Sequence, residues 1–192
     1  MNIRLAKPEE LDKVQCFYYY VTDWLETVPY GPGWKKDIYP SPEELTDALA
    51  KNELWVCETE EEYIASMILN NAPNEGYEKV KWKTDAKPDE VMLIHALGVK
   101  PEYQGKGIAT KMVEHAINIA KSNNCKAMRL DVLEGNLPAE RLYPKLGFAY
   151  VETVEMYYED IQTMQDAMMT LKNSIFLCNF PLTLGGNSCK LT

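Results

Sequence analysis

The spacing of hydrophobic and polar positions divides the chain into short strands and amphipathic helices. The first segment, NIRLA, predicts a strand, and Pro8 then opens a helical pattern that runs to about Glu26. A loop rich in proline and glycine follows over residues 27–39. Ser41 and Glu44 form a capping box, which predicts that a second helix starts there.

The rest of the chain continues the alternation. ELWVCET and EYIASMILNN flank an acidic turn and predict an antiparallel hairpin, and the polar stretch 72–89 is irregular. VMLIHALGV is a nearly continuous apolar run, typical of a strand covered on both faces. A helix with one apolar stripe, the strand AMRLDVL, the short helix NLPAERLYPKLGF and the strand YVETVEMYYED complete the order β-αα-βββ-α-β-α-β. This order predicts a single mixed α/β domain.

Composition narrows the class of protein. The 192 residues suit one domain with one sizeable core, and 46% hydrophobic against 26% charged residues is an ordinary globular balance. No apolar run approaches the ~20 residues of a membrane span, and the start MNIRLAKPEELDK lacks the apolar core of a signal peptide. We therefore expect a cytoplasmic protein with no membrane partner.

Charge, cysteine and histidine content argue against several kinds of site. A net charge of −9 repels nucleic acid phosphates and favours cationic partners, so we expect no nucleic acid partner. The 5 cysteines are scattered without a CxxC pair, which predicts reduced thiols rather than a disulfide framework or a zinc site. With only 2 histidines, a His-rich metal centre is not expected, and we predict no metal.

The segment GVKPEYQGKGIAT places a glycine-rich turn directly between an apolar strand and a helix. Free backbone N–H groups at a helix N-terminus bind anions, and glycine lets a phosphate approach without a Cβ clash. A simple tight turn into a helix is the alternative. The segment is neither a GxxxxGK[ST] P-loop nor a GxGxxG dinucleotide fingerprint, because Ala109 and Thr110 follow Gly107. A nucleotide-binding protein is therefore a weak interpretation.

Two blocks resemble those of the GNAT N-acetyltransferase family. GVKPEYQGKGIAT looks like its motif A, whose core reads (Gln/Arg)-x-x-Gly-x-(Gly/Ala), and NLPAERLYPKLGF is similar to its N-x-x-A-x-x-L-Y-x-K-x-G-F segment. The matching positions are Gln104, Gly107 and Ala109 in the first block, and Asn136, Ala139, Leu142, Tyr143, Lys145, Gly147 and Phe148 in the second. The resemblance covers roughly residues 2–158 in element order, so we expect one GNAT domain over residues 1–158.

The resemblance implies a fold and a donor. The fold is a mixed, mostly antiparallel twisted sheet of about six or seven strands flanked by helices, with a splayed pair of parallel strands at the CoA site. The donor is acetyl-CoA. The resemblance assigns its diphosphate to the backbone amides of Gln104, Gly105, Lys106, Gly107, Ile108 and Ala109, and its pantetheine arm to the backbone of Leu97, Gly98 and Val99.

The second block supplies a candidate acid. The resemblance implies that Tyr143 protonates the departing CoA thiolate, and a phenol with a pKa near 10 can do so if it is held in reach. A packing role in a short amphipathic helix is the alternative. Asn136 is assigned to the CoA arm, while a helix N-cap is an equal interpretation. Pro144 removes one helix hydrogen bond directly after the candidate acid.

The general base is less evident. Some histone-type members carry a glutamate on the strand before motif A, and alignment puts Leu93 there, which cannot accept a proton. His95 shares the face of Leu93 and could accept a proton directly or through water, or be a satisfied sheet histidine. Asp23, Glu26 and a water chain are the other candidates.

The acceptor site is expected among aromatic residues of the first helix and the loop after it. We predict that Asp23, Trp24, Glu26 and Tyr30 bind the acceptor, within a wall that Tyr18, Tyr19, Tyr20 and Trp34 extend; about half of these aromatics are equally suited to the core. The implied reaction is transfer of acetyl from acetyl-CoA to a primary amine of a small molecule, or to an exposed amino group, by direct attack in a ternary complex. The alternative is a non-catalytic domain that binds acyl-CoA.

Residues 159–192 depart from the family pattern, which normally adds another strand soon after VEMYYED. IQTMQDAMMTLKN predicts a helix, SIFLCNF a late strand and PLTLGGNSCKLT a loose tail. Either the last strand is delayed or a partner chain supplies it, which makes a homodimer possible.

Overall fold

The computed structural model describes residues 1–159 and 168–180. In chain order, the elements are β1 (Asn2–Leu5), α1 (Leu11–Leu25), α2 (Pro42–Ala50), β2 (Leu54–Glu58), β3 (Tyr63–Asn70), β4 (Val91–Val99), α3 (Ile108–Ser122), β5 (Ala127–Leu133), α4 (Leu137–Lys145), β6 (Ala149–Glu159) and β7 (Met168–Asn179). The predicted capping box starts α2, since Ser41 Oγ accepts from the Glu44 amide and Glu44 accepts from the Ser41 amide.

The strands form one 7-stranded sheet in the order β1-β2-β3-β4-β5-β7-β6, so the predicted mixed α/β fold is confirmed. Every neighbouring pair is antiparallel except β4 and β5. These two strands are paired at Val91–Ala127, Met92–Met128 and Leu93–Arg129, and not beyond. From Ile94 and Leu130 onwards they separate, which opens the sheet in its middle.

A β-bulge bends β4 at the point where it leaves β5. The register of β4 against β3 shifts between the Ile68–His95 and Ser66–Gly98 pairs, so β4 carries one extra residue there. Ala96 takes up the bulge with a left-handed φ of +49°. Tyr18 of α1 donates a hydrogen bond of 2.9 Å from Oη to the Ala96 carbonyl oxygen, and therefore ties the bulge to the helix.

Helices cover both faces of the sheet. Along β3, Ile68 belongs to the core under α1 and α2, whereas Met67 and Leu69 belong to the core under α3 and α4, as alternation along a strand requires. A third, smaller core is formed where the loop 71–90 packs Tyr77 and Val80 on the first residues of β4. The apolar run of β4 is thus buried on both sides, as its sequence predicted.

The end of the chain corrects one prediction. A helix was expected over residues 161–173, but Met168–Asn179 is strand β7, which lies between β5 and β6 and is antiparallel to both. Met, Leu and Lys favour helices locally, yet pairing on two sides overrides a propensity of this size. The predicted late strand SIFLCNF forms the end of β7 up to Asn179, and Phe180 follows the strand. Residues 161–167 and the expected tail over 181–192 lie outside the described residues, and the division at residue 158 stays a prediction.

The prediction of reduced cysteines is qualified by the structure. Cys16, Cys57 and Cys178 are free thiols as predicted, but Cys125 is disulfide-bonded.

Within the described part of the chain, no helix is long and apolar enough to cross a membrane.

We expect Tyr18→Phe to lower the free energy of unfolding by about 1–3 kcal/mol, because it leaves the buried Ala96 carbonyl without its donor. Urea denaturation measures this. The matched control is Tyr20→Phe, which removes an exposed hydroxyl two residues away and should change stability by less than about 0.5 kcal/mol. Equal effects of the two substitutions would contradict the anchoring role of Tyr18.

Candidate functional site

A cavity of about 600 Å³ occupies the gap between β4 and β5. Its walls are β4 from Ile94 to Val99, β5 from Asp131 to Leu133, the N-terminus of α3, one side of α4 and part of the loop before α2. This volume is in the range of pockets that hold a cofactor or a small-molecule ligand. The gap exists because the two parallel strands stop pairing after Leu93, so the backbone of β4 faces the cavity rather than a neighbouring strand.

The glycine turn forms one wall of the cavity. Gly105 and Gly107 have left-handed φ angles of +71° and +77°, and a Cβ built on either would meet nothing within 4 Å. Gly107 is the N-cap of α3 without any side-chain cap. The amides of residues 105–110 donate to none of the described residues, and the first intrahelical bond starts from the Lys111 amide. The turn therefore offers open space lined by free N–H donors, which suits a diphosphate.

The polar side chains of this turn have separate positions. Gln104 Nε2 donates to the Val99 carbonyl oxygen at 3.1 Å, which fastens the turn to the end of β4. Lys106 Nζ lies 5.2 Å from the centroid of the Tyr103 ring and does not line the cavity. The residues predicted for the diphosphate thus line the cavity except for Lys106, and Thr110 joins them.

Tyr143 and Asn136 lie on the opposite wall. The Tyr143 side chain is 6% exposed, its ring packs on Phe148, and its hydroxyl bonds to none of the described residues. Burial and, secondarily, the charge of Asp131 raise the pKa of Tyr143 above its ordinary value. Asn136 occupies the N-cap position of α4, but its side chain makes no capping bond and lines the cavity. Asn136 is therefore the N-cap residue by position, as one alternative expected, but without the side-chain hydrogen bond of a cap.

His95 lies at the opened edge of β4. Its Nε2 is 3.0 Å from Asn70 Oδ1, and that oxygen also accepts from the Ala72 amide. Because a carbonyl oxygen only accepts, Nε2 carries the hydrogen and Nδ1 is the basic nitrogen of the neutral ring. Desolvation lowers the pKa of His95, while the charge of Asp131 and a backbone hydrogen bond to Ala72 act in the raising direction.

Asp131 was not among the residues that the sequence predicted for the site. It lines the cavity and accepts hydrogen bonds from Tyr77 Oη at 2.8 Å and Asn74 Nδ2 at 3.0 Å. The sequence contained one signal, a carboxylate near the end of the apolar strand AMRLDVL. Its significance depends on the register, because Leu93 pairs with Arg129 and His95 and Asp131 are therefore equivalent positions of two parallel strands. Asn74, in an irregular loop, carried no such signal.

Only some of the residues predicted for the acceptor line the cavity. Trp24, Tyr30 and Trp34 line the cavity, whereas Tyr18 is in the core and Tyr20 is exposed. Trp34 packs close to Gly98, where an added Cβ would lie 3.3 Å from its ring, so the glycine makes room for the loop.

Neither predicted acidic acceptor residue reaches the cavity. Asp23 pairs with Lys36 at 2.5 Å, and Glu26 lines a separate depression of about 320 Å³ on the outside of the loop. Among residues 1–159 and 168–180, no three His, Cys, Asp or Glu side chains cluster so as to hold a metal ion.

We expect the imidazole of His95 to titrate below its reference pKa of about 6.5 in NMR spectra, and to titrate lower still in Asp131→Asn, because that charge favours the imidazolium. A lowered folded-state pKa also means that stability is lost as the pH falls below about 6.5. His115, whose pKa is lowered by burial alone, is the internal control and should not respond to Asp131→Asn. An unchanged or raised pKa of His95 in the variant would contradict the arrangement.

Comparison with known proteins agrees with this geometry. The sequence model of the acetyltransferase (GNAT) family matches residues 18–148. An N-alpha-acetyltransferase of Saccharolobus solfataricus is 38% identical over 68 residues, which are 35% of this chain and 41% of that protein. A thialysine N-epsilon-acetyltransferase of Bos taurus is 43% identical over 56 residues, 29% of this chain and 33% of that protein.

The likeness in fold covers nearly the whole chain, whereas the aligned sequence spans well under half the length of these curated relatives. The structure of yncA from Salmonella typhimurium, which contains its cofactor acetyl-CoA, has a TM-score of 0.67 at 14% identity and covers 98% of this chain and 99% of that one. The family match extends over more than half of the sequence, and it includes both the glycine turn and Tyr143. This chain belongs to the GNAT acetyltransferase family.

Proposed function

We propose that the protein transfers an acetyl group from acetyl-CoA to a primary amine, of a small molecule or an exposed amino group, by direct attack in a ternary complex. One observation carries the proposal: a single cavity joins an uncapped helix N-terminus, which suits a diphosphate, to a buried tyrosine and a histidine placed where two strands separate. A tight turn with only a structural role would not need this continuity.

The proposal that acetyl-CoA is the donor is supported by the fit between the residues of the cavity and the groups of this cofactor. The free amides of the glycine turn and the N-terminal dipole of α3 would hold the diphosphate, and yncA, which shares the fold, contains acetyl-CoA. The backbone of Leu97 and Gly98, which lacks a strand partner on the β5 side, would hold the pantetheine arm, and Asn136 would contact it. The Val99 carbonyl already accepts from Gln104, so its contribution would be its amide. Bound acetyl-CoA supplies an acetyl group activated as a thioester.

His95 is the proposed proton acceptor. A primary amine with an ordinary pKa near 10.4 is protonated at neutral pH, and it must lose that proton before it can attack. Desolvation keeps the imidazole neutral near pH 7, and Nδ1 is its basic nitrogen. The proton therefore passes from the amine to Nδ1, directly or through water.

Tyr143 is the proposed donor to the leaving sulfur. Its raised pKa keeps the phenol protonated throughout the neutral range, so the hydroxyl can always donate. The same shift makes Tyr143 a weaker acid than a free phenol, and its main contribution is then a hydrogen bond that stabilises the thiolate.

The acceptor enters along the aromatic wall. Trp24 and Tyr30 line the cavity and are the side chains against which the acceptor would lie. The relatives named for N-alpha and thialysine N-epsilon acetylation act on amino groups, which favours an amino group here. Asp23 and Glu26 would act only at long range, from outside the cavity.

We expect Ala109→Glu to weaken acetyl-CoA binding at least about tenfold in calorimetric titration, a loss of ~1.4 kcal/mol. Ala109 is the second residue of α3 and lines the cavity, so the new carboxylate would repel the diphosphate. A carboxylate is favourable to a helix in its first turn, so the fold should be retained.

The matched control is Ala109→Gln, which has the same size without the charge and should weaken binding less than about threefold. Position 107 is a poorer choice, because φ of +77° would strain any side chain. Equal losses in the two variants would mean that the position is crowded rather than anion-binding, and no loss would contradict the cradle.

We expect Tyr143→Phe to lower kcat about 100-fold, with little change in KM for acetyl-CoA, because the hydroxyl acts on the departing sulfur rather than in binding. Thiol release in the presence of a panel of primary amines measures this. Tyr150→Phe removes an exposed hydroxyl and should leave kcat unchanged. If the Tyr143→Phe enzyme kept most of its activity, another group would have to donate the proton or the hydrogen bond to the departing thiolate.

A further inference from the structure

His95 is oriented by a side chain that does not line the cavity. Its Nε2 lies 3.0 Å from Oδ1 of Asn70, the last residue of β3. The contact depends on which way the Asn70 amide is turned, because Oδ1 accepts hydrogen bonds and Nδ2 donates them. With the opposite orientation the amide would donate to Nε2, and the N–H hydrogen of the neutral ring would have to lie on Nδ1.

Two further contacts fix the orientation of the Asn70 amide. The backbone amide of Ala72 donates to Oδ1 at 3.0 Å, and Asn70 Nδ2 donates to Oε2 of Glu53 at 3.3 Å. A backbone N–H only donates and an ionised carboxylate only accepts, so both contacts require the orientation that presents Oδ1 to His95. A flipped amide would place donor against donor at Ala72 and acceptor against acceptor at Glu53.

The backbone brings Glu53 to this position. The Glu53 amide donates to the Ala48 carbonyl oxygen of α2, and the Glu53 carbonyl oxygen accepts from the Leu69 amide of β3, both at 2.8 Å. The residue is thus tied to a helix and to the strand that carries Asn70. Burial raises the pKa of Glu53, and the hydrogen bond from Asn70 is the largest influence in the opposite direction. Asn70 therefore favours the ionised form of the carboxyl group that orients it.

The amide of Asn70 keeps a charged partner away from the imidazole. An aspartate at this position would also accept from Nε2, but its charge would favour the imidazolium, which has no basic nitrogen. Asn70 separates the Glu53 carboxylate from the ring and transmits its orientation without its charge. The hydrogen-bond partners of the ring are the Asn70 amide and the Ala72 backbone, both uncharged, while Asp131 and Glu44 act on it through their charge.

We propose that Asn70 and Glu53 are positioning residues for His95. The Glu53 carboxylate fixes the Asn70 amide, and the amide holds the ring hydrogen on Nε2 and leaves Nδ1 as the nitrogen that accepts a proton. The proposal rests on the proposed function, in which that proton comes from the acceptor amine. It extends the function to two residues that do not line the cavity. Partners of this kind orient a histidine and select its tautomer.

The ring hydrogen is observed by NMR of the full chain labelled with 15N-histidine, at a pH at which the ring is neutral. The chain has 2 histidines, so His95→Gln identifies the signals. The wild type should carry the hydrogen on Nε2. In Asn70→Ala its exchange with solvent should be at least about tenfold faster, because it loses its acceptor, and kcat should fall about tenfold at unchanged KM for acetyl-CoA. The ring of His115 is the internal control and should not change.

Glu53→Gln and Glu53→Leu are a matched pair of similar size. Glutamine retains an oxygen that accepts from Asn70 Nδ2, so Glu53→Gln should keep the exchange of the ring hydrogen and kcat within about twofold of the wild type. Leucine has no acceptor, so Glu53→Leu should accelerate the exchange about threefold or more and lower kcat by a similar factor, with KM for acetyl-CoA unchanged. A loss of stability alone would not move the ring hydrogen of the folded protein.

A further variant tests the absence of charge beside the ring. Asn70→Asp in the Glu53→Gln background keeps the acceptor and adds a charge that does not face a second carboxylate. It should raise the pKa of His95 by about one unit or more in NMR titration, because the charge favours the imidazolium. The acid limb of the kcat profile should move to higher pH with it. An unchanged pKa would contradict the contact between position 70 and the ring.

The proposal is overturned if the wild-type ring carries its hydrogen on Nδ1, if Asn70→Ala leaves the exchange unchanged, or if the two Glu53 variants behave alike. Thiol release measured in parallel separates this proposal from the function beneath it. The expected NMR results without thiol release with any primary amine would sink acetyl transfer and leave the positioning contacts standing. Thiol release by Asn70→Ala at the kcat of the wild type would do the reverse.

Discussion

The separation of β4 from β5 after Leu93 and Arg129 is the constraint on which the rest of the site depends. A continuous parallel pair would fill the middle of the sheet and leave no cavity. The bulge at Ala96 turns β4 away, and the hydrogen bond from buried Tyr18 holds that turn against α1. A helix on one face of the sheet thereby fixes a strand whose opened edge faces the cavity.

Glycines shape the cavity at two places, the turn before α3 and strand β4. At the N-terminus of α3, Gly105 and Gly107 allow left-handed turns and keep the space before the helix clear, so that backbone amides rather than side chains face the cavity. On β4, Gly98 allows Trp34 to pack against the strand and so brings the loop of residues 30–39 to the cavity. One cavity is therefore lined by the free amides of the glycine turn and by aromatic side chains of this loop.

Few of the protein's negative charges lie at the cavity. The chain has a net charge of −9, yet a single carboxylate among the described residues reaches the cavity. Burial is the main cause of the raised pKa of Tyr143 and of the lowered pKa of His95, and the charge of Asp131 adds to the first shift and opposes the second, so one charge influences both groups proposed for proton transfer. Its orientation comes from a loop whose own anchor is the stacking of Arg129 on Trp82. The loop 71–90, which has no strand, is in this sense part of the site.

Local sequence patterns determined the order of elements as far as β6, the capping box at Ser41, the glycine turn before α3 and the motif that contains Tyr143. Each of these depends on neighbours within a few residues, through helix periodicity, capping or backbone freedom. Those signals sufficed for the family and for the glycine turn that lines the cavity. The sequence left two roles open for Asn136, because an asparagine that caps a helix and one that binds a ligand look alike in a sequence.

The tertiary structure alone decided what depends on contacts between distant segments. Residues 168–173 form part of a strand despite helix-favouring side chains, because β5 and β6 pair with β7 on its two sides. Asp23 pairs with Lys36 outside the cavity. Asp131, whose position relative to His95 depends on the register of β4 and β5, is the only carboxylate among the described residues that line the cavity. A sequence records which side chains can bind a cation or accept a proton. Only the register of two strands and the path of a loop determine which of them meet.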